Sequence, residues 1–150
     1  MIGHVGTLSR NKLYWIKNQA IDEFERSTHY PRLDIGKLVS GELTRNPPGR
    51  HVSLDIDEFL KATLRQCLAV QETPIKGLII ENLGILLEPE LELNPEKLFL
   101  ELSLDAVIVL VWDYSIIDGR RFVWDEAEPE YGFSFPSHTI TNMELPDEVP

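Results

Sequence analysis

Residues 72–115, ETPIKGLIIENLGILLEPELELNPEKLFLELSLDAVIVLVWDYS, decide the fold. Leu78 to Ile80 form a continuous apolar run, short enough for a strand buried on both faces. Asn94, Pro95 and Glu96 read as N-cap, N1 and N2 of a helix that runs to about Ser103 and buries Leu98, Phe99 and Leu102. Residues 106–112, AVIVLVW, make a second fully apolar strand. Two such strands joined through a helix predict a βαβ unit in a parallel sheet. The first strand ends in Glu81 and Asn82, and an acid at such a strand end can direct a metal ion.

Working outward, Leu13, Ile16, Ala20 and Phe24 recur at helical spacing among Lys12, Lys17, Asp22 and Glu25, which predicts an amphipathic helix over 9–26 capped by Ser9. Pro31 favours extended backbone, and residues 33–35 read as a short strand. Residues 37–50 read as a weak helix interrupted by Gly41 and closed by the loop Asn46-Pro47-Pro48-Gly49. The clearest helix is 53–70: Ser53 can cap it, and Ile56, Phe59, Leu60, Leu64, Cys67 and Leu68 form one stripe. Cys67 on that stripe is a small buried hydrophobe rather than a nucleophile. Asp118-Gly119 between apolar residues signals a hairpin through 121–124. The last segment has scattered aromatics, four prolines and no lasting period. We therefore expect one α/β domain over 1–142 and a loose acidic tail over 143–150.

At 150 residues the chain is the size of one domain and buries about two thirds of the surface its unfolded form exposes. It has no apolar run near the ~18 residues of a membrane span and no long apolar h-region at its start, so no membrane partner is expected. A single cysteine excludes an internal disulfide framework and fits a reducing, cytoplasmic setting. The formal charge of -11 is unevenly placed: residues 1–50 carry eight Lys/Arg against five Asp/Glu, and residues 51–150 carry six against twenty. Such a balance repels phosphate backbones and disfavours direct nucleic-acid binding; it suits solubility or a basic protein partner.

A nucleotide-binding α/β domain needs a glycine-rich turn to wrap phosphate, a lysine to balance charge and an acid to direct magnesium. Gly3 and Gly6 stand before the expected first helix, but G-x-x-x-x-G-K-[ST] laid on Gly3 puts Leu8 at the second glycine, Ser9 at the lysine and Arg10 at the hydroxyl residue. The first strand, over 1–3, is nearly missing. This is a degraded loop, or a chain whose native start lies upstream of Met1. The candidate nucleotide contacts are Gly3, Gly6, Thr7, Ser9, Arg10 and Lys12, and the candidate metal pair is Glu81 with Asn82. The four histidines lack i, i+4 pairing, the acids Asp125, Glu126, Glu128 and Glu130 lack an EF-hand pattern, and no G-x-S-x-G elbow is present.

The series YPRLDIGKLVSGEL, GLIIENLGILLEPELELNPEKLFLELS, VIVLVW and DGRRFVWDEAEPEY resembles the BrxF family of small P-loop proteins from type 3 BREX phage-defence systems. The likeness runs from about Gly3 to Tyr131, through the acid-Asn strand end, Glu88-Pro89, the Asn94-Pro95 helix start, the strand ending in Trp112, the Asp118-Gly119 hairpin and Pro129-Glu130-Tyr131. It implies a compact P-loop NTPase-like fold acting as an accessory subunit beside larger defence proteins. Competent-looking members carry an intact glycine-lysine loop, an aspartate where Glu81 stands, and Ser-Arg where this chain has Ser103-Leu104. Losing loop lysine and arginine together removes charge that stabilises a transferring phosphoryl group, a role worth on the order of 10³–10⁵ in rate for an arginine finger.

The expected fold is three-layer α/β and P-loop NTPase-like, with a short, mainly parallel sheet built from strands near 1–3, 33–35, 78–81 and 106–112 and ending in a hairpin. The expected function is a non-catalytic or barely catalytic adaptor, a pseudo-ATPase held by a larger protein subunit of a phage-defence complex. One alternative is an active or nucleotide-regulated ATPase whose cofactors are ATP and Mg²⁺. The other is an unrelated acidic α/β interaction module that docks a basic partner.

Overall fold

The computed structural model describes residues 11–45, 52–88 and 91–143. Five parallel strands form the main sheet in the order β2-β3-β4-β1-β8: β1 (Leu13–Ile16), β2 (Arg32–Asp34), β3 (Gly77–Glu81), β4 (Val107–Val111) and β8 (Ile140–Asn142). Among the described residues four α-helices accompany them: α1 (Ile21–Thr28), α2 (Ile35–Arg45), α3 (Val52–Ala69) and α4 (Pro95–Leu102). A second, antiparallel sheet joins β5 (Ser115–Ile117), β6 (Arg121–Val123) and β7 (Gly132–Ser134).

The expected βαβ unit is β3-α4-β4, with Gly77 to Ile80 in register with Val107 to Leu110. Both strands are buried on both faces, as uninterrupted apolar runs require. Asn94 caps α4 by accepting the Lys97 N–H at 3.1 Å, and Pro95 occupies the first helical position, where its missing N–H is no loss. The Asp118-Gly119 hairpin forms as well: both residues are left-handed (φ 55° and 70°), and the Arg120 N–H bonds Ile117 O.

The helix expected over 9–26 is corrected. Residues 13–16 are the strand β1, Asn18–Ala20 form a single 3-10 turn, and only Ile21–Thr28 is α-helical. Leu13 and Ile16 fit a helical period, yet in β1 they point to opposite sides: Leu13 and Trp15 pack into the core beneath α2 to α4, Ile16 and Tyr14 against α1. A central strand buried on both faces has no polar alternation to reveal it, and the β-favouring Tyr, Trp and Ile are its signature. The first strand expected at 1–3 and the acidic tail, apart from Met143, lie outside the described residues. Gly41 does not interrupt α2, where burial of Ile35 and Val39 offsets the ~1 kcal/mol cost of an interior glycine. Strands β7 and β8 were not expected from the patternless C-terminal segment.

The two faces are unequal. Helices α2, α3 and α4 and the small sheet cover one side, where Trp112, Phe122, Phe133 and Phe135 form an aromatic cluster with Phe122 stacked on Phe133 at 5.4 Å. Among the described residues, α1 is the helix that lines the other, through Ile21 and Phe24. From β1 the chain crosses to the far edge at β2 and then steps back through β3 and β4, so a constant crossover handedness puts α1 opposite the other helices. The reversal makes the carboxyl ends of β1 and β4 a topological switch point, the place where open α/β sheets form ligand crevices.

Candidate functional site

A crevice of about 380 Å³ lies at that switch point. Its walls come from the ends of four strands: Asn18 after β1, Asp34 of β2, Glu81 and Asn82 at the end of β3, and Asp113 and Tyr114 after β4, with Gly84 and Trp124 completing it.

Asp34 ends β2 level with Glu81 and opens α2. One of its oxygens, Oδ1, accepts the Lys37 N–H at 2.9 Å and the Asn82 side-chain N–H at 2.8 Å. The first bond caps a helix whose opening N–H groups have no internal partner. Asn82 is left-handed (φ 60°, ψ 53°), a conformation asparagine tolerates better than most residues. Its carboxamide occupies the space a Cβ on Gly36 would need, which explains the glycine.

Glu81 is engaged from behind. Its Oε2 accepts from Arg32 at 2.9 Å, while the same guanidinium reaches Asp22 at 2.9 Å and Glu25 at 3.2 Å on α1. The hydrogen bond to Glu81 leads the effects that raise the Arg32 pKa further above its ordinary range, against desolvation that lowers it. The Arg32 and Glu81 side chains are only 27% and 26% exposed, so the pair is partly shielded from solvent.

After β1 the chain makes a 3-10 turn with no glycine, and Asp113 Oδ1 accepts the Asn18 N–H at 2.8 Å. The backbone donor that could face an anion there faces the chain's own carboxylate. Trp112 is buried and donates its indole N–H to Ser115 O at 3.1 Å. Tyr114 sets its ring edge-on to Trp112, at 5.3 Å and 74°, and the Trp124 ring lies against Gly84.

Of the residues singled out from sequence, Glu81 and Asn82 stand in this crevice, while Gly3, Gly6, Thr7, Ser9 and Arg10 lie outside the described residues. Lys12 is brought near neither: it precedes β1 at the amino end of the sheet, level with Gly77 and roughly 13 Å from the Glu81 row at about 3.3 Å per residue. Ser103 is also at the amino end; it is buried, accepts from Asn11 at 2.9 Å and donates to Leu100 O, with Leu104 exposed beside it. Asp34 and Asp113 were missed, although the rule that picked out Glu81, an acid where an apolar strand leaves the core, applies equally to them.

Mg-ATP does not fit these residues. Among the described residues the lining contains three carboxylates and no Lys, Arg or His, Lys17 is exposed and outside the lining, and no three His, Cys, Asp or Glu are grouped to hold a metal ion. A triphosphate placed there would meet like charge, with no cationic side chain among the described lining residues to balance it. No helix among the described residues is long and apolar enough to cross a membrane. No family model, curated protein or solved structure matches the chain.

Proposed function

We propose that this chain is a non-catalytic, P-loop-like adaptor: a subunit that keeps the architecture of a nucleotide-binding domain and serves a larger protein complex, of the phage-defence kind its sequence resembles. The parallel order β2-β3-β4-β1-β8 with a crevice at its switch point supports the P-loop-like reading of the sheet. The observation that carries the loss of catalysis is internal satisfaction of the groups a nucleotide would use. Asp113 meets the N–H of the turn after β1 where phosphate would lie, and Arg32 meets Glu81 where magnesium would lie.

Each substitution is electrostatically self-consistent. A carboxylate on the turn repels phosphate, and a guanidinium on Glu81 already neutralises the charge that would attract a divalent cation. The active-ATPase alternative requires both internal bonds to open and a cation to arrive from outside the lining. Steady-state phosphate release tests the reading: the purified chain should show no magnesium-dependent turnover above background, and Glu81→Gln should leave that background unchanged. Turnover that needs magnesium and disappears in Glu81→Gln would overturn it in favour of the ATPase.

A further inference from the structure

We propose that the crevice at the carboxyl end of the sheet is a docking pocket for an arginine side chain presented by a partner protein. This rests on the adaptor reading and adds the chemistry of the contact. The crevice combines a cavity of ligand size, unengaged acceptors and exposed aromatics. Asp34 and Asp113 each use one oxygen internally and have no cationic partner among the described residues, where Asp34 Oδ2 and Asp113 Oδ2 take part in no hydrogen bond or ion pair.

A small hard cation is a poor occupant, because it needs oxygen ligands gathered within about 2.0–2.6 Å of one point and the described acids are not so grouped. A planar, delocalised cation with several spread donors suits separated carboxylates better. Tyr114 and Trp124, 58% and 47% exposed, line the same crevice. Trp124 lies against Gly84 and Tyr114 meets Trp112 edge-on, contacts that already restrict both rings, so less side-chain freedom is lost when a partner covers them. Guanidinium stacks on aromatic faces while pairing with carboxylates, whereas ammonium is a compact, strongly hydrated point charge. Exposed aromatics are also the usual energetic centres of protein interfaces, which favours a protein-borne arginine over a free small molecule. The formal charge of -11 would speed capture of a basic segment and repel nucleic acid.

The test is an amide and indole NMR titration of the full-length ¹⁵N-labelled chain with a short, end-capped arginine-glycine peptide, its lysine counterpart, and ATP with magnesium. The arginine peptide should give saturable shifts centred on Asn82, Gly84 and the Trp124 indole. Its affinity should fall about tenfold in Trp124→Ala or Asp113→Asn, a change of about 1.4 kcal/mol. The lysine peptide should bind several-fold more weakly. Since Trp124 is half exposed, Trp124→Ala should keep the wild-type far-UV spectrum, and Tyr114→Ala provides a second variant of the same kind. Shifts that are absent or unsaturable, equal affinity for the lysine peptide, or no weakening in either aromatic variant would overturn the inference. Concentration-dependent shifts of the same signals without peptide would overturn it in favour of a second copy of this chain. Saturable ATP shifts at Asn82 and Gly84 would overturn the adaptor reading itself, whereas silence toward both peptide and ATP would overturn the docking inference alone.

Discussion

The turns after β1 and β3 stand at the same end of the sheet, with β4 between them, and they are closed by opposite charges. After β1 a backbone donor is held by an anion, Asp113; after β3 an acid is held by a cation, Arg32. A working nucleotide site would leave both open, the first for phosphate and the second for a metal ion. Here both are engaged by a complementary ion from within the chain. Strand order alone therefore does not make a nucleotide site, and the charges at the strand ends discriminate better.

The two closures differ in strength. Arg32 bridges three carboxylates and is partly shielded, so Arg32→Ala should cost about 1–2 kcal/mol, between the ranges for exposed and fully buried pairs. Urea unfolding checks this; a loss below that range would mean that the three carboxylates tolerate separation from their partner. Next comes Asp34→Ala, which removes a helix cap and the Asn82 bond together and should cost about 1.5 kcal/mol. Asp113→Ala breaks a single bond to an exposed backbone N–H and should cost about 0.5–1 kcal/mol by the same method. If Asp113→Ala proved as costly as Arg32→Ala, the two turns would be equally dependent on their internal partners and the contrast would fail.

The smallest effect is a control on the α1 face. Burial raises the pKa of Tyr14, and burial with charge repulsion from Tyr14 raises that of Tyr30. A raised phenol pKa means that the folded state prefers the neutral ring. Its contribution is fully present below the unfolded value of 10.0 and is lost as pH rises through the higher folded value. Stability should therefore decline above about pH 10, and Tyr30→Phe should flatten that decline. A decline of the same slope in Tyr30→Phe would place its cause elsewhere.

Much of this architecture is legible in the sequence where one physical signal dominates. The runs 78–80 and 106–112 read as buried strands, Asn94-Pro95 read as a helix start, and Asp118-Gly119 supplied the left-handed turn of the hairpin. Legibility failed at β1 because Leu13 and Ile16 satisfy a helical period, while its pairing with β4 and β8 is a long-range fact that no local window contains. It failed again at β7 and β8, three residues each, too short to show a period. Glu81 and Asn82 were visible as a strand end. Their partners were not, because Arg32 and Asp34 reach them across 49 and 48 positions of chain. Lys12 looked adjacent to the chemistry because it was read as part of the first turns of a helix over 9–26; in the sheet it precedes β1 and stands at the opposite end.

We propose that the chain's own charges close the crevice to nucleotide. Calorimetric titration of the wild-type chain with ATP, with and without magnesium, tests it most directly. No binding heat is expected at millimolar ATP under either condition. Micromolar binding that requires magnesium and is lost in Glu81→Ala would contradict it and make the end of β3 a working metal site.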